Sequence, residues 1–432
     1  MKLILEPVLL RTRRLILASG DLVAGLDIGT TKVCAVIGEK TENGGLEITG
    51  VGTSPSTGLR KGVVVNIEAT LRSIEAAIEA AEMMSGRELH NVWTGIGGSH
   101  IDGINSRGVV AVTGKNWETR EIGDDDLIRV LEAARAVAIP MDRQVLELIP
   151  QNYIVDDQKG IRDPLNMIGV RLEAEVHIIT CSVTSAQNLV KCVNRAGFRV
   201  DGLVLQSLAA GRAVLTEEEK EMGTALIDMG GGTTDVLVYF DGAPYSTITI
   251  PAGGTQVTSD ISIIKNISLE AAEKIKCEKG SCWEDVQTEE EEILVPGMGG
   301  RAPLLIPRLE IEEIIRPRLE EIFFMVKEKL DKLVLSRPLR GGVVLTGGGS
   351  QLLGAAELAS DIFKFPARVG SPLSVGGLVE EYRSPAYATA VGLVLEGNDR
   401  EIRDGTDRGG NNRVEGISLF DRMVEWFKRE FF

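Results

Sequence analysis

Histidine and paired cysteine are scarce in this chain. Three histidines (His90, His100, His177) and five scattered cysteines (Cys34, Cys181, Cys192, Cys277, Cys282) are spread over 432 residues. No Cys-x-x-Cys occurs, which speaks against a structural zinc site. Isolated cysteines in odd number suit a reducing cytosol, where each acts as a small buried apolar residue. No apolar run reaches the roughly 18 to 20 residues that span a bilayer. Excess positive charge is missing too. Lys and Arg number 47 against 63 Asp and Glu, for a net charge of −16 and a pI near 4.9. A general nucleic-acid binder needs a basic face to release counterions, so that class is set aside. What remains is a chain with 43% hydrophobic and 25% charged residues, long enough for two to four domains with sizeable cores.

The most informative stretch is Asp228-Met229-Gly230-Gly231-Gly232-Thr233-Thr234-Asp235. Apolar strands flank it, Thr224 to Ile227 before and Val236 to Phe240 after, so it reads as a hairpin whose tip is almost all backbone. Three glycines let successive N–H groups point into one concavity, which suits an oxyanion. Thr233 and Thr234 add hydroxyl donors. Asp228 and Asp235 repel phosphate, so they fit a magnesium ion held through water. A tight glycine-rich hairpin without a ligand remains open for this stretch alone.

A second copy strengthens the signal. Asp27-Ile28-Gly29-Thr30-Thr31-Lys32 lies between the strands Leu22 to Leu26 and Val33 to Ile37, about 200 residues earlier. A third glycine turn, Thr346-Gly347-Gly348-Gly349-Ser350, follows the strand Gly342 to Leu345. Two such hairpins facing each other can clamp a triphosphate, with the third turn at base and sugar. None of the three is a Walker loop or a Gly-x-Gly-x-x-Gly dinucleotide fingerprint.

These residues resemble the actin, Hsp70 and sugar-kinase superfamily of ATP-binding proteins. Gly98-Ser99-His100-Ile101, Asn105-Ser106-Arg107-Gly108, Pro150-Gln151-Asn152-Tyr153 and Gly299-Gly300-Arg301 narrow the resemblance to the FtsA family of bacterial cell-division proteins. It covers nearly everything from Leu22 to Glu396 and returns at the C-terminal end. The resemblance implies an α/β, actin-like two-lobed fold with an inserted α+β subdomain and a C-terminal amphipathic helix. It implies ATP with Mg2+ in the cleft, Asp27 and Asp228 facing the metal, and hydrolysis that is slow at most. Gln206, at the crossing between lobes, is the candidate for orienting the attacking water. Lys32 is a candidate for pairing with phosphate charge, against a plain surface lysine. Glu273 and Lys276 are carried over as nucleoside contacts, against a solvated helix face. Arg301 lies where the family docks the tail of the tubulin-like protein FtsZ, a short and partly acidic segment. Further implications are self-association into filaments and contacts of the inserted subdomain with other division proteins.

Periodicity places the rest. Residues 1–20 read as a poorly ordered N-terminal extension or as sequence upstream of a misplaced start, with an interfacial arm as the alternative. Residues 21–88, 177–199 and 366–396 form the first lobe, and 89–176 the inserted subdomain. The second lobe takes 200–254 and 310–365, with 255–309 as its small subdomain. Asn66 to Met84 has helical apolar spacing and is closed by Gly86. Asp124-Asp125-Asp126 reads as a helix N-cap rather than a metal site. Ala209-Ala210-Gly211 and the helix Ala386 to Leu395 are small enough to pack closely on each other.

Residues 397–416 are rich in Gly, Asn, Asp and Arg and read as a flexible linker. An amphipathic helix, 417–432, follows. At about 100° per residue, Ile417, Leu419, Phe420, Met423, Val424, Trp426, Phe427 and Phe431 share one half of the wheel. Asp421, Arg422, Glu425, Lys428 and Arg429 share the other, and Glu430 intrudes. Large apolar side chains beyond a tether suit an interfacial anchor on an anionic membrane, with core packing or partner binding as the alternatives. The expected location is peripheral, on the cytoplasmic face of the inner membrane at the septum.

Three rivals share the superfamily fold. A metabolite kinase needs a catalytic aspartate and a sugar pocket near the first hairpin, and no motif for either occurs. An Hsp70-like chaperone needs a peptide-binding domain after the nucleotide domain. A pilus-assembly filament protein lacks the membrane helix.

Overall fold

The computed structural model describes residues 22–41, 45–112, 119–283, 292–296, 302–334, 337–373, 375–377 and 379–409, with side chains through 402. Along the chain, β1 (Leu22–Ile28), β2 (Lys32–Lys40) and β3 (Leu46–Pro55) form an antiparallel meander. The short β4 (Leu59–Arg60) and β5 (Val63–Val64) pair around a tight turn. Helix α1 (Ile67–Ser85) starts where Asn66 accepts the Ala69 amide at 3.0 Å and stops at Gly86, φ 68°, a conformation that favours glycine. Strand β6 (Asn91–Ile96) returns parallel to β1.

The inserted subdomain follows. It comprises β7 (Asp102–Ala111), β8 (Arg120–Glu121), α2 (Asp124–Arg135), β9 (Arg143–Val155), β10 (Gln158–Ile161), β11 (Ile168–Gly169) and β12 (Arg171–Ser182). Four of these strands form an antiparallel sheet ordered β10-β9-β12-β7, with α2 against one face and a core that includes Val130, Leu172 and Val176. Asp126 caps α2 as expected. It accepts the Gly123 amide at 3.1 Å and is gripped by Arg120 and Arg129. Burial opposes its ionisation, yet these partners hold its carboxyl down at about 2.

Then α3 (Val183–Arg195) leads to β13 (Arg199–Leu205), which joins β6 and completes a five-stranded sheet ordered β13-β6-β1-β2-β3. Helices α4 (Gln206–Val214) and α5 (Glu217–Met222) cross to the second half. There β14 (Thr224–Met229), β15 (Thr234–Phe240) and β16 (Ala243–Ile250) repeat the meander. Helices α6 (Gly254–Lys265) and α7 (Leu269–Lys279), the hairpin β17 (Glu292–Val295) and β18 (Leu304–Pro307), and α8 (Leu309–Val334) follow. Strands β19 (Gly342–Thr346) and β20 (Ala367–Val369), on either side of α9 (Ala355–Phe363), complete a second sheet ordered β16-β15-β14-β19-β20. Each sheet is therefore a three-stranded meander extended by two parallel strands.

The last described helix, α10 (Ala388–Gly409), packs across α4 and β1. A Cβ on Gly392 would collide with the Ala209 carbonyl, so glycine sets the approach of the two helices. Cys34, Val36, Ala209, Leu226, Leu237, Val344, Ala390 and Val394 share one buried cluster that joins both sheets.

Five boundaries differ from the sequence reading. Strand β6 lies inside the first core sheet, so the inserted subdomain begins after it rather than at residue 89. The insert also keeps all of β12, beyond residue 176, because β12 pairs with β7 and β9. Strand β13 belongs to the first sheet and β20 to the second. The linker expected from residue 397 is helical to Gly409, and its charges at Asp399, Arg400 and Glu401 are partnered. Arg400 is half-buried and meets Glu147 at 2.5 Å and Glu396 at 2.8 Å, while Glu401 pairs with Lys40 at 2.7 Å. Residues 1–20, Arg301 and the expected helix 417–432 lie outside the described residues.

Candidate nucleotide site

Each meander exposes its first hairpin at the same end of its sheet. In the first, Asp27 pairs with Cys34 and the Gly29 amide donates to Lys32 O at 3.0 Å. In the second, Asp228 pairs with Asp235 and the Gly230 amide donates to Thr233 O at 2.9 Å. The two tips meet. A Cβ on Gly232 would lie 2.6 Å from Thr30 Oγ1, and one on Gly231 would collide with Thr31. Glycine is required at both positions by this approach. No turn bond consumes the amides of Gly231 and Gly232, which leaves them available to an anion.

The carboxylates at the base of the tips are held from the crossing helices. Gln206, the first residue of α4, donates Nε2 to Asp27 Oδ1 at 2.7 Å. Thr389, in the first turn of α10, donates Oγ1 to Asp228 Oδ2 at 3.1 Å. Both carboxylates keep part of their surface open while protein surrounds them. Burial raises the Asp228 pKa to about 7, helped by the charges of Asp235 and Asp27. Burial likewise raises that of Asp27, opposed by Lys32. The other oxygen of each has no described hydrogen-bond donor. Among the described residues no group of three or more His, Cys, Asp and Glu side chains forms a direct metal cage. Two open carboxylates below glycine amides that no turn bond consumes fit Mg2+, which keeps most of its waters.

The third turn closes on the second hairpin. Gly347 has φ 79°, and a Cβ there would collide with Asp228 Oδ1. Gly348 is exposed, with open space where a side chain would stand. Gly349 packs on Met229. Residues Gly348–Gln351 form a 3-10 turn, and α9 starts only after Gly354.

Several expected ligands have their polar atoms bonded within the protein. Asp235 does not face a cleft metal, because its two oxygens accept Thr233 Oγ1 at 2.9 Å and Thr249 Oγ1 at 2.6 Å. Thr234 is buried and donates to Ala252 O at 2.9 Å. Ser350 is buried and donates to Gly347 O at 2.7 Å. Lys32 Nζ donates to Ala386 O at 2.7 Å and lies 3.8 Å from the Tyr387 ring centroid. Lys276 Nζ contacts Glu273 at 2.7 Å, Thr258 Oγ1 at 2.9 Å and Gly254 O at 3.2 Å. Gly254 in turn gives its amide to Gly230 O at 2.9 Å, so this knot adjoins the second hairpin. Sequence reasoning missed Thr389, which sits in an alanine-rich helix without any motif.

Comparison with known proteins bears on family and fold. The family model described as cell division protein FtsA matches residues 225–392, and that of the SHS2 domain inserted in FtsA matches 98–180. The cell division protein FtsA of Borreliella burgdorferi is 45% identical over 415 residues, 96% of this chain and 100% of that protein. That of Pseudomonas aeruginosa is 46% identical over 96% of this chain and 99% of its own length. That of Escherichia coli K12 is 36% identical over 95% and 98%. Among solved structures, a chain of the PilM–PilN type IV pilus biogenesis complex superposes with a TM-score of 0.63 at 18% identity, covering 87% of this chain and 98% of its own. MreB5 of Spiroplasma citri bound to AMPPNP does so with 0.53 at 16%, covering 90% and 99%. The structural likenesses establish the actin-like two-lobed fold, and the sequence likenesses establish that the chain belongs to the FtsA family of cell-division proteins.

Proposed function

We propose that the chain binds Mg-ATP between the two hairpins and works as a membrane-bound adaptor for FtsZ filaments at the division septum. The observation that carries the nucleotide part is the meeting of two glycine tips over Asp27 and Asp228. Amides of Gly231 and Gly232 take phosphate oxygens, while Asp27 and Asp228 order the waters of Mg2+, which supplies charge neutralisation when bound. Gly347, Gly348 and Gly349 line the nucleoside end, with Glu273 and Lys276 nearby. ATP bridges the lobes and favours self-association into filaments on the cytoplasmic face of the membrane. Hydrolysis is at most slow. Gln206 orients water there, and Asp228 accepts its proton. The small subdomain, with Arg301, docks the FtsZ tail. Ile417, Phe420, Met423, Val424, Trp426, Phe427 and Phe431 enter the lipid interface. The inserted subdomain meets other division proteins.

Equilibrium binding of fluorescent ATP in Mg2+ tests the cleft. Gly232→Val fills the space against Thr30 and should abolish binding, and Asp228→Ala should weaken it at least about tenfold. Wild-type affinity in both variants would place the nucleotide elsewhere.

A further inference from the structure

Three carboxylates, Asp27, Asp228 and Asp235, gather at the cleft, and a polyphosphate would add more negative charge. Lys32 is the expected counter-charge, but its ammonium is tied to Ala386 O and lies over Tyr387. A second lysine reaches the same place from another element. Lys61 and Gly62 form the turn between β4 and β5, and both are left-handed, with φ 52° and 77°. The Gly62 amide donates to Thr30 Oγ1 at 3.2 Å, on the first hairpin. A Cβ on Gly232, on the second hairpin, would lie 3.1 Å from Lys61 Cα. Behind the turn stands Gly98, whose Cβ would lie 2.8 Å from the Lys61 carbonyl oxygen. The Lys61 backbone is therefore fixed against both hairpin tips at once.

Two features make a plain turn residue a poor account of Lys61. A left-handed φ is uncommon for lysine, and glycine or asparagine would sit there with less strain. Its ammonium also makes no hydrogen bond or ion pair with any described residue. Uncommitted charge on a flexible four-carbon stem suits a mobile phosphate oxygen. The place along the phosphate chain follows from the neighbours. Gly347 packs against Asp228 at the base of the second hairpin, on the nucleoside side, whereas Lys61 stands at the tips.

We infer that Lys61 is the cation that binds the terminal phosphate in this cleft, and that it makes the site prefer a nucleoside triphosphate to a diphosphate. The inference rests on the nucleotide reading proposed above. Fluorescent ATP and ADP, each with Mg2+, titrated into the full chain and its variants provide the test. Lys61→Asn keeps the left-handed turn and removes the charge. It should weaken ATP binding by about tenfold or more and ADP binding by less than about threefold. Lys61→Arg should hold ATP within about threefold of wild type. Lys61→Gln, compared with wild type by circular dichroism, is a second charge-free variant in case the first misfolds. Wild-type ATP affinity in the charge-free variants, or equal losses for ATP and ADP, would overturn the role of Lys61 while leaving the nucleotide site standing. A wild-type chain that binds neither nucleotide would overturn that reading and the inference together.

Discussion

A carboxylate at the floor of a closed cleft is held against its own preference for water, and Asp228 shows the consequence. Burial, with Asp235 and Asp27 adding like charge, raises its pKa to about 7 from the ordinary 3.8. Between those values the folded chain keeps a proton that the unfolded chain releases. Stability therefore falls as pH rises through about 4 to about 7, and the loss persists above. Asp27 and Asp235 shift in the same direction, so the trend is shared. Asp228→Asn removes the largest charge problem and can still accept from Thr389. Without nucleotide, this variant should be close to wild type near pH 4 and exceed it near pH 8, by on the order of 4 kcal/mol. Calorimetric melting at the two pH values checks this, and equal melting points at pH 8 would mean that Asp228 carries no burdened charge. The same logic separates ligand candidates from scaffold. Asp235, Thr234 and Ser350 have their polar atoms satisfied inside the protein, whereas Asp27 and Asp228 each keep one oxygen free of any described donor.

At the scale of elements, the crossing of α4 and α10 ties the cleft together. Each helix begins with a side chain on one hairpin carboxylate, Gln206 on Asp27 and Thr389 on Asp228. Their contact depends on Gly392 lying against Ala209. Gly392→Val should force the helices apart and destabilise the chain by about 3 kcal/mol or more, read as a lower urea midpoint. An unchanged midpoint would show that the crossing tolerates a side chain. Small residues at Ala209 to Gly211 and in the partner helix made this crossing legible in the sequence. So did the hairpins, because Asp-x-Gly-x-Thr between apolar strands leaves few other readings. The length of α10 was not legible. Gly397, Asn398 and Asp399 look like a tether until Arg400 is seen between Glu147 and Glu396, partners 253 residues apart in one case. Local composition carries no record of such distant ion pairs. The sheet assignments of β6, β13 and β20 failed for the same reason, since strand order is a long-range property. Hydroxyls posed a further problem: Thr233 and Thr234 read as ligand donors, and only the fold revealed Asp235 and Ala252 as their acceptors.

At the scale of the molecule, the inserted subdomain is not a free appendage. His177 bridges Asn105 at 2.6 Å and Thr247 at 2.9 Å, and Gln151 donates to Pro244 O at 3.0 Å, so the insert touches the outer strand β16 of the second sheet. Burial lowers the His177 pKa to about 4, which keeps this contact neutral at physiological pH. Arg400 joins the insert to α10 through Glu147, and α10 leads toward the C-terminal segment. Among the described residues no helix is long and apolar enough to cross a membrane. The membrane part of the proposal is carried by residues 417–432. The most direct measurement is co-sedimentation with anionic vesicles in Mg-ATP, with a fluorescent FtsZ tail peptide, for the full chain and for a chain ending at residue 416. The account predicts that the full chain carries the peptide to the lipid, while the truncated chain still binds ATP and peptide but stays in the supernatant. Equal lipid association by the two chains, or none by the full chain, would contradict it.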